Sequence, residues 1–421
     1  MTALPGPVQW TLARVPITVV AEPGGRFIEG LGLGLRDNPN RAHLLVNPLL
    51  AKHVPVPPSD PVGVADALAR QVRPGMTSAD PLVIGFAETA TGLGWFFARA
   101  LAAALGVGAV DYIHSTRQTG TPGGPVDQIE FNEAHSHATN HRIQPAKQDF
   151  LRNRREIVLV DDEVTSGAMA LELAYKLSDV NPGCRFTLAC LVDGRPESNN
   201  LAERASSLGL DLTIASLARV VVAVSDGARS RVAALARLFA VGGVEPSRAH
   251  MAKPQAPSRE CLREVVLPVP SEHPRHGQRV GAESSRGVAR AIVSALPGEV
   301  RQAGRVWIVG EEEEIAMAVL VAEEWGQQSP GTCVLVSSST RSPALVVGSA
   351  YYPMRTAIHY RVRDGGLRFL YNGVTDADAV LFIPDPHGQG APSDLLRQLP
   401  GRVWMVRWAP HSPVAGTAGV L

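Results

Sequence analysis

The sequence predicts an α/β protein, a parallel sheet with flanking helices followed by a second, smaller α/β domain, and three observations carry that expectation. Short apolar runs alternate with Ala- and Leu-rich stretches of helical length, as successive strand, helix and strand units require. The 421 residues suffice for two or three domains at about 150 residues each. Between residues 245 and 281 the alternation stops and Pro, His, Ser and Arg take over, which reads as a linker or domain-crossing segment.

Taken in order, 81–87 (PLVIGFA) reads as a strand and 95–105 as a helix, with a Thr/Gly turn between them. Residues 109–115 form the next strand, 157–160 a third, 168–177 a helix and 186–192 a fourth strand. Between the second and third strands, 118–151 holds Gly, Pro, His and Asn with little periodicity. So long a loop in a compact domain is usually a functional lid or a disordered segment. Beyond the break, 305–309, 333–336 and 379–383 read as strands and 311–325 as a helix. The expected division is a first domain at 1–245, a linker or crossing segment at 246–281, and a second domain at 282–421.

Forty Lys plus Arg balance forty Asp plus Glu. Zero formal charge argues against a broad electrostatic footprint for nucleic acid or anionic lipid. The lysines are Lys52, Lys147, Lys176 and Lys253, and every other cationic side chain of the Lys/Arg set is arginine. Cys184, Cys190, Cys261 and Cys333 show no CxxC spacing, which fits a reducing cytoplasm. The N-terminus lacks a basic region followed by an apolar stretch, and no uncharged apolar run approaches the roughly 18 residues of a membrane span. A soluble, unprocessed cytoplasmic protein is expected.

The segment 157–170, IVLVDDEVTSGAMA, carries the most chemistry. Its leading apolar residues suit the centre of a parallel sheet, where ligands bind beyond the strands' carboxyl ends. Asp161 and Asp162 fall at that end. Two adjacent carboxylates accept hydrogen bonds from a neutral diol but repel a bare phosphate. Thr165, Ser166 and Gly167 then lead into a helix, and hydroxyls with free N–H groups at a helix start favour a phosphate. Diol and phosphate together describe a ribose 5-phosphate. The alternative, a Walker B-like strand end, requires a GxxxxGK loop, and the sequence contains no Gly-Lys dipeptide.

In its order of apolar residues, two acids, a variable pair, then Thr/Ser and Gly, this stretch resembles the phosphoribosyl diphosphate (PRPP) motif of the type I phosphoribosyltransferases. The resemblance implies a type I phosphoribosyltransferase-like sheet in the first domain. It also implies that Asp161 and Asp162 hold the ribose 2- and 3-hydroxyls. The phosphate-binding run would be Glu163, Val164, Thr165, Ser166, Gly167, Ala168 and Met169, with 165–169 wrapping the 5-phosphate. Magnesium would be held through the substrate and the two aspartates. Glu88, Thr89, Ala90, Thr91 and Gly92 stand where that fold places its pyrophosphate loop, and small residues there allow close backbone approach to an anion. Arg117 follows the next strand, a position that the resemblance sets against the pyrophosphate; a surface arginine is the alternative.

The 118–151 loop falls where type I enzymes carry a mobile loop that closes over the substrate. Its run FNEAHSHATNHR brings Glu133, His135, His137 and His141, with Lys147 further on. His135 and His137 read as anion contacts or proton carriers and Lys147 as a cation for the leaving pyrophosphate. Zinc binding by the histidines, or a merely polar loop, are the alternatives.

The run GLGLG at 30–34 lacks the GxGxxG spacing, the helix and the acidic partner of a dinucleotide loop. The stretch around it, LGLRDNPNRAHLLVNPLLAKHVPV, is similar to the N-terminal signature of an orotate phosphoribosyltransferase-like family of bacterial tellurite-resistance-type stress operons. That similarity makes Arg36, Asn38, Arg41, Lys52 and His53 candidates for contact with a base, beside ordinary surface or capping roles. The same family carries a C-terminal domain named for a Thr-Arg-Ser-Pro motif, which Thr340, Arg341, Ser342 and Pro343 supply here. With Ser339 they offer hydroxyls and a guanidinium to an anion at a strand's carboxyl end. Asp385 and His387 follow another strand end and read as an acid and base of the same crevice, or as a turn. The acids at 311–314 read as a helix start stabilised by its dipole.

These resemblances imply a phosphoribosyltransferase that joins a nitrogen base or base-like acceptor to C1 of PRPP, or runs in reverse, on the way to a nucleoside-like metabolite. Its partners would be small molecules and, in a homodimer, a second copy. A non-catalytic sensor of PRPP or nucleotide is the rival class. Zero net charge and no evident helix-turn-helix argue against a DNA-binding version of it.

Overall fold

The computed structural model describes residues 8–11, 17–21, 30–36, 38, 41–118, 128–132, 140–241, 262–348, 352–362, 366–388 and 393–409. Strands β1 (Val8–Thr11) and β2 (Ile17–Ala21) precede a hairpin of β3 (Gly32–Leu35) and β4 (His43–Val46). Helix α1 (Ser59–Val72) leads to β5 (Leu82–Gly85), α2 (Ala90–Leu105) and β6 (Val110–His114). A second hairpin, β7 (Ile129–Asn132) and β8 (Asn140–Ile143), gives way to β9 (Glu156–Val164) and α3 (Ala168–Ser178). Strand β10 (Arg185–Asp193), α4 (Leu201–Ser207), β11 (Asp211–Val224) and α5 (Ala228–Val241) follow.

The remaining chain supplies β12 (Leu262–Pro268), β13 (Gln278–Val280), α6 (Arg286–Ala295), α7 (Gly298–Arg301) and β14 (Arg305–Gly310). After α8 (Ile315–Gln328) come β15 (Cys333–Ser338), β16 (Ala357–Arg361), β17 (Leu367–Tyr371), β18 (Ala379–Ile383), α9 (Ser393–Leu396) and β19 (Arg402–Ala409). Among the described residues no helix is long and apolar enough to cross a membrane.

The principal sheet runs β1-β2-β11-β10-β9-β5-β6-β13. Its five inner strands from β11 to β6 are parallel. The apolar run at 157–160 explains why β9 lies at the centre: those residues are fully buried between β5 and β10. Register sets Gly85 beside Val160 and Cys190 beside Asp161, so the ends of β5, β9 and β10 open on one edge, where ligands of such sheets collect. A second sheet, β12-β19-β18-β14-β15, is parallel throughout.

The segment expected as linker or crossing carries β12 of the second sheet and β13, which pairs antiparallel with β6 of the first. The two sheets share one continuous apolar core through α1, α2, β14 and α8. Helix α2 packs on α8 closely enough that a Cβ on Gly92 would lie 2.5 Å from Ile315 Cγ2. Arg99 adds a forked ion pair to Glu323, at 2.9 and 3.3 Å. Two sequence expectations shift. Helix α2 begins at Ala90 rather than 95, so Ala90, Thr91 and Gly92 form its first turn. The acids at 311–314 do stand at the start of α8, with Glu314 at its N-cap, but all four are buried and Glu312–Glu314 form a single 3-10 turn, so side-chain partners hold them besides the dipole.

Candidate active site

The continuous strand β9 carries Asp161 and Asp162 to the open edge, both half-buried. Asp161 accepts a hydrogen bond from the Asp162 amide at 2.9 Å, which orients its carboxylate. The turn after β9 is fixed by Gly167 at φ 71°. A Cβ there would meet Leu201 Cδ2 at 2.2 Å. Left-handed backbone costs a side-chain-bearing residue roughly 1 to 2 kcal/mol, before the clash with buried Leu201 is counted. Gly167→Ala should therefore lower the thermal unfolding midpoint and loosen the 165–169 turn; an unchanged midpoint in a thermal scan would refute that strain.

Glu163, next in line, pairs with Arg41 from the β3–β4 hairpin. Burial raises the Glu163 carboxyl above its ordinary range, and the Arg41 charge opposes the shift. Arg41 also donates to His43 Nε2 at 3.2 Å, and its amide donates to the Asn38 side chain at 3.1 Å. Asn38 thus braces the loop between the hairpin strands. His43 is pushed down to about 3 by burial and then by Arg41, and His53 to about 3 by burial and then by Lys52. Both rings are neutral near pH 7.

At the end of β5, buried Glu88 gathers cations. Lys52 Nζ and Arg117 each lie 3.9 Å from its Oε2. Thr340 Oγ1 and the Arg341 amide donate to the same oxygen at 3.4 and 3.3 Å, while Oε1 has no hydrogen-bond partner among the described residues. Lys52 also donates to Thr89 Oγ1 at 2.8 Å. Arg117 is held by His141, whose Nε2 accepts from it at 3.3 Å and whose Nδ1 meets Ser115 Oγ at 3.0 Å.

Arg36, Arg41, Lys52, His53, Glu88, Thr89, Arg117, Asp161, Asp162, Glu163, Met169, Arg341 and Ser342 line one cavity of about 140 Å³. Sequence-distant candidates thus meet in a single cleft, with Leu44 and Ala87 as its apolar lining. The Thr-Arg-Ser-Pro motif belongs to this cleft's wall. Arg341 pairs with Glu312, Ser339 Oγ accepts from the Glu312 amide at 3.1 Å, and Ser342 N donates to Thr340 Oγ1 at 3.0 Å. The segment after it closes on the hairpin: Leu345 N donates to Leu35 O at 2.8 Å, and Tyr352 OH accepts from Leu35 N at 2.8 Å. The glycines of the GLGLG run serve this contact, since Cβ atoms on Gly32 and Gly34 would come within 2.7 Å of Pro353 and 2.3 Å of Met354.

Other candidates lie elsewhere. Lys147 is exposed and pairs with Glu272 at 3.2 Å, and it does not line the cleft. His135 and His137 fall outside the described residues. Asp385 and His387 do not share a crevice with Arg341. Asp385 is buried against Arg275, at 2.6 Å, on the far side of the turn of acids. Burial works to raise Asp385, and the Arg275 charge overrides it, holding the carboxyl well below its usual range.

Sequence reasoning missed the role of that turn. Glu312 pairs with Arg341 and Arg368; Glu313 accepts from Thr116 Oγ1 at 2.8 Å and from Arg275 at 2.9 Å; Glu314 meets His273 at 2.9 Å. Burial pushes Glu311 up to about 8 and Glu314 well above its ordinary range. The missed signal was position: like Asp161 and Asp162, these acids follow an apolar strand at its carboxyl end.

A parallel sheet whose central strand ends in paired acids and a Thr-Ser-Gly turn places the chain in the class of α/β phosphoribosyl transferases. Residues 31–220 match the family described as phosphoribosyl transferase, and residues 272–399 match the TRSP domain found C-terminal to it. The chain thus carries a phosphoribosyl transferase domain of that family followed by its C-terminal TRSP domain. Among solved structures, adenine phosphoribosyl transferase from Trypanosoma brucei, with AMP, pyrophosphate and ribose-5-phosphate, aligns at 11% identity over 50% of this chain and 87% of that one, with TM-score 0.32. Orotate phosphoribosyltransferase from Mycobacterium tuberculosis H37Rv, with inorganic phosphate, aligns at 12% identity over 46% and 85%, with TM-score 0.27. No curated protein matches the sequence.

Proposed function

We propose that this phosphoribosyltransferase transfers the ribosyl 5-phosphate of PRPP to a nitrogen of a base or base-like acceptor, releasing pyrophosphate, or runs in reverse. The observation that carries the reading is the convergence of Asp161, Asp162 and Met169 with Lys52, Arg117 and Arg341 in one cleft. The carboxylates accept the two ribose hydroxyls, and the 165–169 turn with the start of α3 offers N–H groups to the 5-phosphate. As the bond from C1 to the pyrophosphate oxygen breaks, its electron pair leaves with pyrophosphate and C1 gains oxocarbenium character. Lys52, Arg117 and Arg341 stabilise the departing charge, so catalysis rests on positioning and electrostatics. The acceptor approaches from the hairpin side, past Arg36, Arg41 and His53. Neutral His53, with Nε2 unpartnered, can exchange one hydrogen bond with the base edge.

Half-buried paired carboxylates are hard oxygen donors of the kind magnesium takes alongside substrate phosphates, so Asp161 and Asp162 fit that ion. When bound it neutralises part of the pyrophosphate charge. The product would be nucleotide-like. We infer a cytoplasmic setting from free, buried Cys184 and Cys190, and a homodimer remains part of the proposal.

With PRPP, magnesium and a mixture of bases, the full-length protein should release pyrophosphate and yield one new ribosylated product by mass spectrometry. Binding of PRPP with no turnover on any base would replace catalysis by sensing. Arg341→Met should lower kcat/KM ten- to a hundredfold, as expected for a charge-assisted bond of roughly 1.5 to 3 kcal/mol. Unchanged kinetics in the folded variant would remove the TRSP motif from the site.

A further inference from the structure

On the far side of the 311–314 turn lies a second cluster that the transfer reaction does not use. A ring nitrogen of His273, a Glu314 carboxylate oxygen and an Asp385 carboxylate oxygen all lie within 4.8 Å of one another, and all three residues are buried; His273 Nε2 meets Glu314 at 2.9 Å. Two further histidines close around them. The His276 ring is 6.0 Å from that of His273, and the His387 ring is 5.4 Å from His273 and 5.3 Å from His276. His276 is 7% exposed, gives Nδ1 to the Gln144 carbonyl at 3.1 Å, and leaves Nε2 without a partner. Buried polar nitrogens almost always have a partner, so this one is an observation that asks for a ligand.

We propose that His273, Glu314 and Asp385 form a binding site for a first-row divalent transition metal ion such as zinc, with His276 Nε2 as the fourth donor. Imidazole nitrogen with carboxylate oxygen is the donor set of zinc and its neighbours, whereas magnesium and calcium take oxygen alone. Donors of a tetrahedral shell with bonds of about 2.1 Å stand about 3.4 Å apart, so His273, Glu314 and Asp385 need only a modest contraction, while His276, which lies outside that group of three, has to swing further to join it. The buried guanidinium of Arg275 meets Glu313 and Asp385, so the ion would share the Asp385 carboxylate with it.

Ligation has one internal cost. His273 Nδ1 accepts from the Arg275 amide at 3.2 Å, so its proton sits on Nε2. Binding the metal at Nε2 moves that proton to Nδ1 and gives up the amide bond. A small cavity of about 30 Å³, lined among others by His273, Glu313, Glu314 and Pro386, adjoins the His273 and Glu314 side of the cluster. His273 and His276 come from the segment that docks on the first sheet, while Glu314 and Asp385 follow β14 and β18 of the second. The ion would therefore tie the two sheets together and raise stability by mass action.

The test is a zinc titration of tag-free, chelator-stripped full-length protein in competition with a chromophoric chelator, with excess magnesium present to occupy oxygen-only sites. One equivalent should bind at sub-micromolar affinity, raise the unfolding temperature, and weaken at least a hundredfold in His273→Ala and Glu314→Gln. The Asp161→Asn, Asp162→Asn double variant should bind zinc as the wild type does. Cobalt(II) in the unmutated protein should give the visible absorption of a four-coordinate nitrogen and oxygen site, a readout that survives misfolding of any variant. No zinc bound by wild type, no cobalt band, or equal affinity in the folded His273→Ala variant would overturn the proposal.

Discussion

Replacing Asp161 and Asp162 together by asparagine is expected to weaken PRPP binding by about 2 to 3 kcal/mol, roughly a hundredfold. A hydrogen bond to a charged acceptor is worth roughly 1.5 to 3 kcal/mol and a neutral one about 1 kcal/mol. Asparagine keeps an acceptor oxygen and the shape but loses the charge at both hydroxyls. Both side chains are half-buried at the sheet's open edge, so the fold should survive. Calorimetry with PRPP and magnesium measures the loss, and two controls locate it. Ribose 5-phosphate should weaken along with PRPP, whereas pyrophosphate without magnesium, which the proposed reading sets against Lys52, Arg117 and Arg341, should bind nearly as before. Unchanged PRPP affinity in the folded double variant would rule out the diol assignment.

That segment was legible because its chemistry is contiguous. A strand, two acids and a phosphate-type turn sit within fourteen residues, 157–170, and local backbone geometry places them without help from the rest of the chain. The helix after it, Ala168–Ser178, and the strands around it were readable for the same reason. What sequence could not show was convergence across long separations. Glu88 and Thr340 are 252 residues apart, and neither composition nor period says that they meet. Nor does GLGLG announce that its missing side chains make room for Pro353 and Met354. The acids at 311–314 do precede α8, but their surroundings were hidden. At an exposed helix start the dipole would be their main partner, whereas α2 and β15 pack on this turn, and buried carboxylates must find specific cations or protons. Scarcity in composition carries no positional information for Lys147; the chain turns it outward to Glu272.

The largest expected loss of stability falls on Arg275, the buried guanidinium between the two sheets. It is 1% exposed, donates to Glu313 at 2.9 Å and grips Asp385 at 2.6 and 3.4 Å. Arg275→Met keeps much of the apolar stem and removes the charge. Two carboxylates are then left buried without their cation, beside Glu311 and Glu314, which already crowd the same turn. Removing one partner of such a buried ion pair costs about 3 to 5 kcal/mol, mostly through the stranded charge rather than the lost attraction. Urea unfolding of the full-length protein, carried out with a chelator so that only its own charges count, should show the midpoint falling with little change in slope. A compensated variant separates charge from packing. Arg275→Met combined with Glu313→Gln and Asp385→Asn removes the stranded charges and should recover a large part of the loss, because neutral amides can share hydrogen bonds where two carboxylates repel. If instead the triple variant is as unstable as the single one, Arg275 acts through packing against its neighbours. A loss below about 1 kcal/mol in the single variant, the range of exposed pairs, would mean that the two carboxylates are not held as charged groups at all.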